Sequence, residues 1–283
     1  MALTGGFAAA LAVFLAASVW RAWCGWKRRR GLEVGGPPAP PVGKVPVWFY
    51  RPLDLMGVAL VFAVFSGLVL ASVRVSGTGE PSLNPGTLAV SIGFQFVMAG
   101  VVVLLVARRV SLVSWLGLRW PAWPWVLLLA PGAVCFMWII FGGLQVAGYV
   151  KWMESLGVET VQDTVKLLQE SKDPLMLGLM ACAAVIAAPL CEEVVFRGYF
   201  YPVMKKFAGM PAAVLCSALV FATAHGNLTA LLPLFIFGCV LVFLYEKTGS
   251  LWAPIAAHFC FNGATVIIQM AVRYYDIPLE MPQ

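Results

Sequence analysis

Apolar residues fall in runs of roughly twenty, at about 3–20, 53–73, 86–107, 122–149, 174–192, 211–226, 229–245 and 251–272, with short polar patches between them. About 20 helical residues cross the ~30 Å hydrocarbon core of a bilayer. The pattern therefore predicts an all-α fold, a polytopic membrane helix bundle of about eight transmembrane helices. Two connections depart from the short-loop rule. Residues 31–50 contain GGPPAPPVGKVP, a Pro/Gly-rich composition that reads as an extended cytoplasmic linker. It sets residues 1–30 apart as an N-terminal membrane anchor, an appendage to the other seven helices. Residues 150–173 are polar, with Val158, Val161, Val165 and Leu168 at helical spacing; this reads as an amphipathic connector on the exterior surface. The expected organisation is thus anchor (1–30), linker (31–50), accessory helices and connector (51–173), C-terminal core (174–273) and tail (274–283).

Composition and charge sharpen the picture. Hydrophobic residues make up 61% of the chain and charged residues 11%, with a mean hydropathy of +0.88. Soluble domains carry about 25% charge, so a soluble domain is excluded. The basic cluster Lys27–Arg30 follows the first apolar run instead of preceding it, which argues for a retained helix and against a signal peptide. With the N-terminus outside, Arg21, Lys27, Arg28, Arg29, Arg30, Lys44, Arg51, Arg108, Arg109, Arg119, Arg197, Lys205, Lys206 and Lys247 lie on the cytoplasmic side. They are 14 of the 19 Lys and Arg residues, the bias expected of cytoplasmic segments. Both termini are then exterior. The net charge of +6 reflects this topology, and nucleic acid is not an expected partner. The seven cysteines show no metal-type spacing and read as small core residues. A multi-pass protein of a bacterial plasma (inner) membrane is the expected setting.

Ionisable side chains inside a span cost at least about 2.5–3.5 kcal/mol on insertion scales, so each needs a reason. Here they are few: Glu192, Glu193 and Arg197 at the end of the fifth run, His225 in the sixth and His258 in the eighth. Glu193 and Arg197 are spaced i,i+4 and can pair on one helix face, while Glu192 is rotated about 100° away. Phe221 and His225 repeat the spacing, as do His258 and Asn262. A single buried histidine is usually a packing residue. Both of the chain's histidines in the same set, with matched spacings, predict a shared polar intramembrane cavity.

The ordered motifs EExxxR (Glu192, Glu193, Arg197), FxxxH (Phe221, His225) and HxxxN (His258, Asn262) resemble those of the CPBP or Abi family. These are intramembrane proteases that include the type II CAAX prenyl endopeptidases. The resemblance covers about residues 189–265. It implies peptide hydrolysis in which Glu192 is the general base, His225 helps to hold the water, and His258 and Asn262 are oxyanion donors. Glu193 and Arg197, with Phe221, form the supporting shell that fixes Glu192. The implied partners are the lipid bilayer and a membrane-associated, C-terminally anchored or lipidated protein substrate.

No cofactor is expected, because an asparagine oxyanion donor makes sense without a metal and the chain has no HExxH, in which one helical turn fixes two ligands. The alternative is a zinc-type site made from Glu192, His225 and His258. GxSxG and GxGD motifs, the marks of other intramembrane proteases, are also missing. A non-catalytic, immunity-type binding protein using the same cavity is the second reading. A transporter is the third, disfavoured because no inverted repeat is visible.

Overall fold

The computed structural model describes residues 2–30, 43–75, 84–158, 168, 171 and 173–275. Eight principal helices organise them: α1 (Ala2–Arg29), α2 (Asp54–Val75), α3 (Pro85–Ala107), α4 (Val126–Val146), α5 (Pro174–Ala208), α6 (Met210–Ala224), α7 (Leu228–Thr248) and α8 (Trp252–Tyr274). Among the described residues seven helical stretches are long and apolar enough to cross a membrane; α6, with 15 residues, is shorter. Local sequence sets the ends. Asn84 and Thr87 form a reciprocal capping box at the start of α3, Asp173 caps α5, and Asn227 caps α7. These caps satisfy amides that a helix cannot pair internally. Gly209, at φ +89° in the region that favours glycine, reverses the chain between α5 and α6 within one residue.

Burial is inverted relative to a soluble protein. Val90, Leu104, Leu127, Ile139 and Ile267 point outward, as expected where hydrocarbon is the solvent. Arg197, Glu193, Lys205, Glu246 and His258 are buried. The helix pairs closest to the site are tight: at Gly238 of α7 a Cβ would come within 3.0 Å of Ala218 Cα on α6, so a larger residue there would press the two helices apart. α8 packs along α4 and α7.

Three expectations are corrected. The first helix is no appendage: Phe7, Ala10 and Phe14 of α1 are buried, its face packs along α6, and Cys216 Sγ lies 3.2 Å from the Ala10 carbonyl. The linker is only partly separate. Residues 31–42 lie outside the described residues, but 43–50 dock into the bundle as an irregular strap. Glu246 Oε1 of α7 accepts from Lys205 Nζ at 2.5 Å and Tyr201 Oη at 2.6 Å. Its other oxygen receives the Val45 amide, and Lys205 also reaches the Val45 carbonyl. Finally, the fifth helix does not stop at 192. It continues to Ala208, because Glu193 and Arg197 neutralise each other inside the bundle. Arg197 is thus an interior residue and not one of the cytoplasmic loop cations.

Of the expected amphipathic connector, Tyr149–Ser155 is a short helix, and the Tyr149 hydroxyl donates to the Thr229 carbonyl. Val161 and Val165 lie outside the described residues, while Leu168 is buried against Met176 and Met180.

Candidate active site

Helix α5 is wound unevenly, and two prolines account for its consequences. Its Ala183–Ala187 and Glu193–Phe200 stretches are π-helical: the Ala188 amide reaches back to Ala183 O and the Tyr201 amide to Phe196 O, five residues each. Wide turns of this kind are frequent at functional sites. With the Ala188 amide committed to Ala183, the carbonyl of Ala184 faces Pro189 five residues on, and proline has no N–H. Asn262 Nδ2 of α8 supplies the missing donor at 2.8 Å. Likewise, the helical partner four residues beyond Gly198 is Pro202, and the Gly198 carbonyl instead receives the Tyr50 hydroxyl at 2.8 Å and Trp115 Nε1–H at 2.9 Å.

Between these two points sits a charged knot. Glu193 Oε1 accepts from Arg197 Nη1 at 2.8 Å and lies 2.9 Å from His258 Nδ1. All three side chains are essentially sealed from the surface. The Arg197 guanidinium carbon stands 4.2 Å from the Phe221 ring centroid, a cation–π arrangement that strengthens as water is removed. The same ring meets His225 at 4.8 Å and His258 at 5.9 Å between centroids, and Phe237 meets His258 edge-on. Glu192, next to the knot, is half-buried. Its Oε2 is buried without a hydrogen-bond partner among the described residues, as are Glu193 Oε2, Arg197 Nε and Ser217 Oγ. A buried polar atom left unpaired costs about 1–3 kcal/mol, and such atoms are where internal water binds.

The topology explains how four helices bring these groups to one level. Glu193 lies sixteen residues before the Gly209 reversal and His225 sixteen residues after it. The continuous α5–Gly209–α6 hairpin therefore places both at similar heights. α8 then delivers His258 and, one turn on, Asn262.

Residues 174–264 match the family model for type II CAAX prenyl endopeptidase Rce1-like proteins. A 98-residue stretch is 34% identical to "Putative membrane peptidase YdiL" of Bacillus subtilis (strain 168), covering 34% of this chain and 40% of the relative. This region is thus similar to the CPBP, or type II CAAX endopeptidase-like, proteins. The chain spans about 40% of the curated relative it matches, and no solved structure matches it. Together with its seven apolar helices, the match makes the chain a multi-pass integral membrane protein.

Residues 174–264 gather most of the residues singled out in the sequence. His225 and His258 flank one ring, Phe221, and Glu193 turns to Arg197 as its spacing implied. Three details differ from expectation. Glu193 steadies His258 and makes no hydrogen bond to Glu192, because its Oε1 is shared between Arg197 and the imidazole. Asn262 spends one amide N–H on Ala184, leaving the other available. His225 lies just past the end of α6 and is exposed, with Nδ1 2.8 Å from the Phe221 carbonyl. Among the described residues no three His, Cys, Asp or Glu side chains converge as a metal set. Glu192, His225 and His258 thus do not fit the zinc alternative in this arrangement, and no step is routed through a metal. Sequence reasoning missed Tyr50, Trp115, Phe237 and Ser217; for the first two, the available signal was Pro202, which releases the Gly198 carbonyl.

Proposed function

We propose that the chain is an intramembrane endopeptidase that hydrolyses a peptide bond of a membrane-associated, C-terminally anchored or lipidated protein, with Glu192 activating the water. The observation that carries this reading is the contrast between two neighbouring carboxylates in a region similar to the CPBP proteins. Glu193 is committed to Arg197 and His258, while Glu192 has a buried oxygen with no partner. A general base must have its lone pair available to the proton it removes; both carboxylates carry an unpartnered Oε2, but only Glu192 stands outside the ion pair with Arg197 and the contact with His258.

In this scheme Glu192 takes a proton from water as the oxygen attacks the substrate carbonyl, and later returns it to the departing amine. His225, at the open rim, helps to hold the water. Glu193 fixes His258 through Nδ1, so the Nε2 edge is the part of the ring left to meet substrate. That edge and the second amide N–H of Asn262 stabilise the oxyanion. Support for a membrane-embedded substrate comes from the depth of the site within an apolar bundle.

The test compares new protein termini in cells carrying wild type, a deletion and Glu192→Gln. Termini that require the wild-type chain define the substrate, and cleavage of that substrate by the purified variant should fall by about 10²–10⁴-fold while the protein still folds. Wild-type cleavage by Glu192→Gln would overturn the scheme and leave the cavity to a non-catalytic, immunity-type binding role. Exhaustive chelation should leave wild-type cleavage intact; loss with recovery on adding back one metal would replace unaided glutamate catalysis with a metal-dependent one.

A further inference from the structure

The Gly198 carbonyl offers a second handle on the site, from outside residues 174–264. It belongs to the π-helical stretch that carries Glu193 and Arg197, and Pro202 denies it an ordinary helical partner. Tyr50 Oη and Trp115 Nε1 both donate to it, and Trp115 Nε1 is also 2.8 Å from Tyr50 Oη. All of these groups are buried. The pair is itself braced. Lys206 reaches the Tyr50 carbonyl, the Tyr245 hydroxyl donates to the Trp115 carbonyl, and next along α5 the Tyr199 hydroxyl donates to the Asp54 carbonyl at 3.1 Å. Asp54 in turn takes two hydrogen bonds from Arg109, at 2.6 and 2.7 Å. The strap, the start of α2 and the segment after α3 thus converge on two consecutive residues of α5, Gly198 and Tyr199, immediately after Arg197.

The structure assigns Tyr50 and Trp115 the role of positioning residues: by capturing the Gly198 carbonyl they hold the wide turn of α5 open, and so set the Glu193 carboxylate against His258. The inference rests on the protease reading only for its kinetic consequence; its structural content stands apart. A wide turn wastes a backbone acceptor, so it persists only where something else occupies that acceptor. At the upper wide turn Asn262, a residue of the site, is the occupant. At the lower one it is a pair contributed by chain that lies outside residues 174–264.

Two measurements test this on the full-length protein in nanodiscs. The chain has only two histidines, so ¹⁵N-histidine labelling gives two imidazoles, assigned with His225→Gln. In Tyr50→Phe, and more so in Tyr50→Phe/Trp115→Phe, the His258 Nδ1 resonance should move towards its position in Glu193→Gln while His225 stays put. Trp252→Phe, which removes an indole hydrogen bond to Leu118 elsewhere in the bundle, should move neither. On the substrate identified above, kcat of Tyr50→Phe should fall by on the order of tenfold with KM within about twofold.

Adding Pro202→Ala to Tyr50→Phe returns an amide to Gly198 and separates positioning from mere stabilisation. Thermal stability should recover while the His258 signal and kcat do not. An unmoved His258 resonance in the double clamp variant, or its return together with stability in the Pro202→Ala background, would overturn the assignment. A wild-type chain that cleaves nothing would remove the protease reading, and the resonance arm would still decide the clamp.

Discussion

Helix α3 carries no charged residue while the lower half of α5 carries Glu193, Arg197, Lys205 and Lys206, and the two behave as opposites. In α3 only Met98, Ala99, Val102 and Val106 are buried, and Val97 and Leu104 face outward. In α5 every residue from Val195 to Lys205 is buried, including a full guanidinium and an ammonium. α3 is held by contact area, which lipid tails supply almost as well. α5 is held by directed bonds: Glu193 to Arg197 and His258, Gly198 to Tyr50 and Trp115, Tyr199 to Asp54, and Lys205 to Glu246. In hydrocarbon an apolar surface has little reason to prefer protein, whereas a polar group has no other acceptable place. The specificity of this fold therefore resides in its few polar residues.

Breaking that contrast should give graded effects. Glu193→Gln strands Arg197 in an interior with no other carboxylate hydrogen-bonded to it, and removing one partner of a buried pair costs about 3–5 kcal/mol. A large fall in melting temperature in detergent is the expected outcome. Glu193→Gln/Arg197→Met removes both charges and should regain most of that stability, while cleavage stays lost because His258 is no longer held. Lys205→Met should cost less, about 1–3 kcal/mol, because Glu246 keeps donors from Tyr201 and the Val45 amide. Its signature is earlier proteolysis of the 43–50 strap, before the rest of the bundle opens. At the far end of the scale, Leu104→Ala on the outward face of α3 should shift stability by less than about 0.5 kcal/mol and leave cleavage unchanged. A Leu104 effect as large as that of Lys205 would mean that α3 has a protein neighbour in the membrane.

The same contrast explains what could be read in advance. Hydropathy runs located the helices because bilayer thickness acts on each run separately. The EExxxR, FxxxH and HxxxN spacings exposed the site because i,i+4 pairs are local geometry. Where the outcome depended on cancellation between distant parts, the reading stopped short. Glu192, Glu193 and Arg197 looked like the end of a span because a charge is counted before its partner is known. Tyr50 and Trp115 sit 148 and 83 residues from Gly198 in sequence, and nothing periodic announces them. Pro189 and Pro202 were visible throughout, but a proline shows only that a carbonyl is released, not which side chain will collect it.

The shortness of α6 has one further consequence. Fifteen helical residues rise about 22 Å, so a helix that starts at one face ends about 8 Å short of the other side of a ~30 Å hydrocarbon core. The turn that follows, His225-Gly-Asn227, exposes an imidazole at that depth, and acyl chains cannot solvate it. Headgroups and bulk water must dip to meet the turn, as bilayers do around segments that are too short for them. On the protease reading, hydrolysis consumes water in the driest part of the cell. A truncated helix beside the catalytic groups is a well sunk through the oil, and it delivers the second substrate at the depth where the first is held.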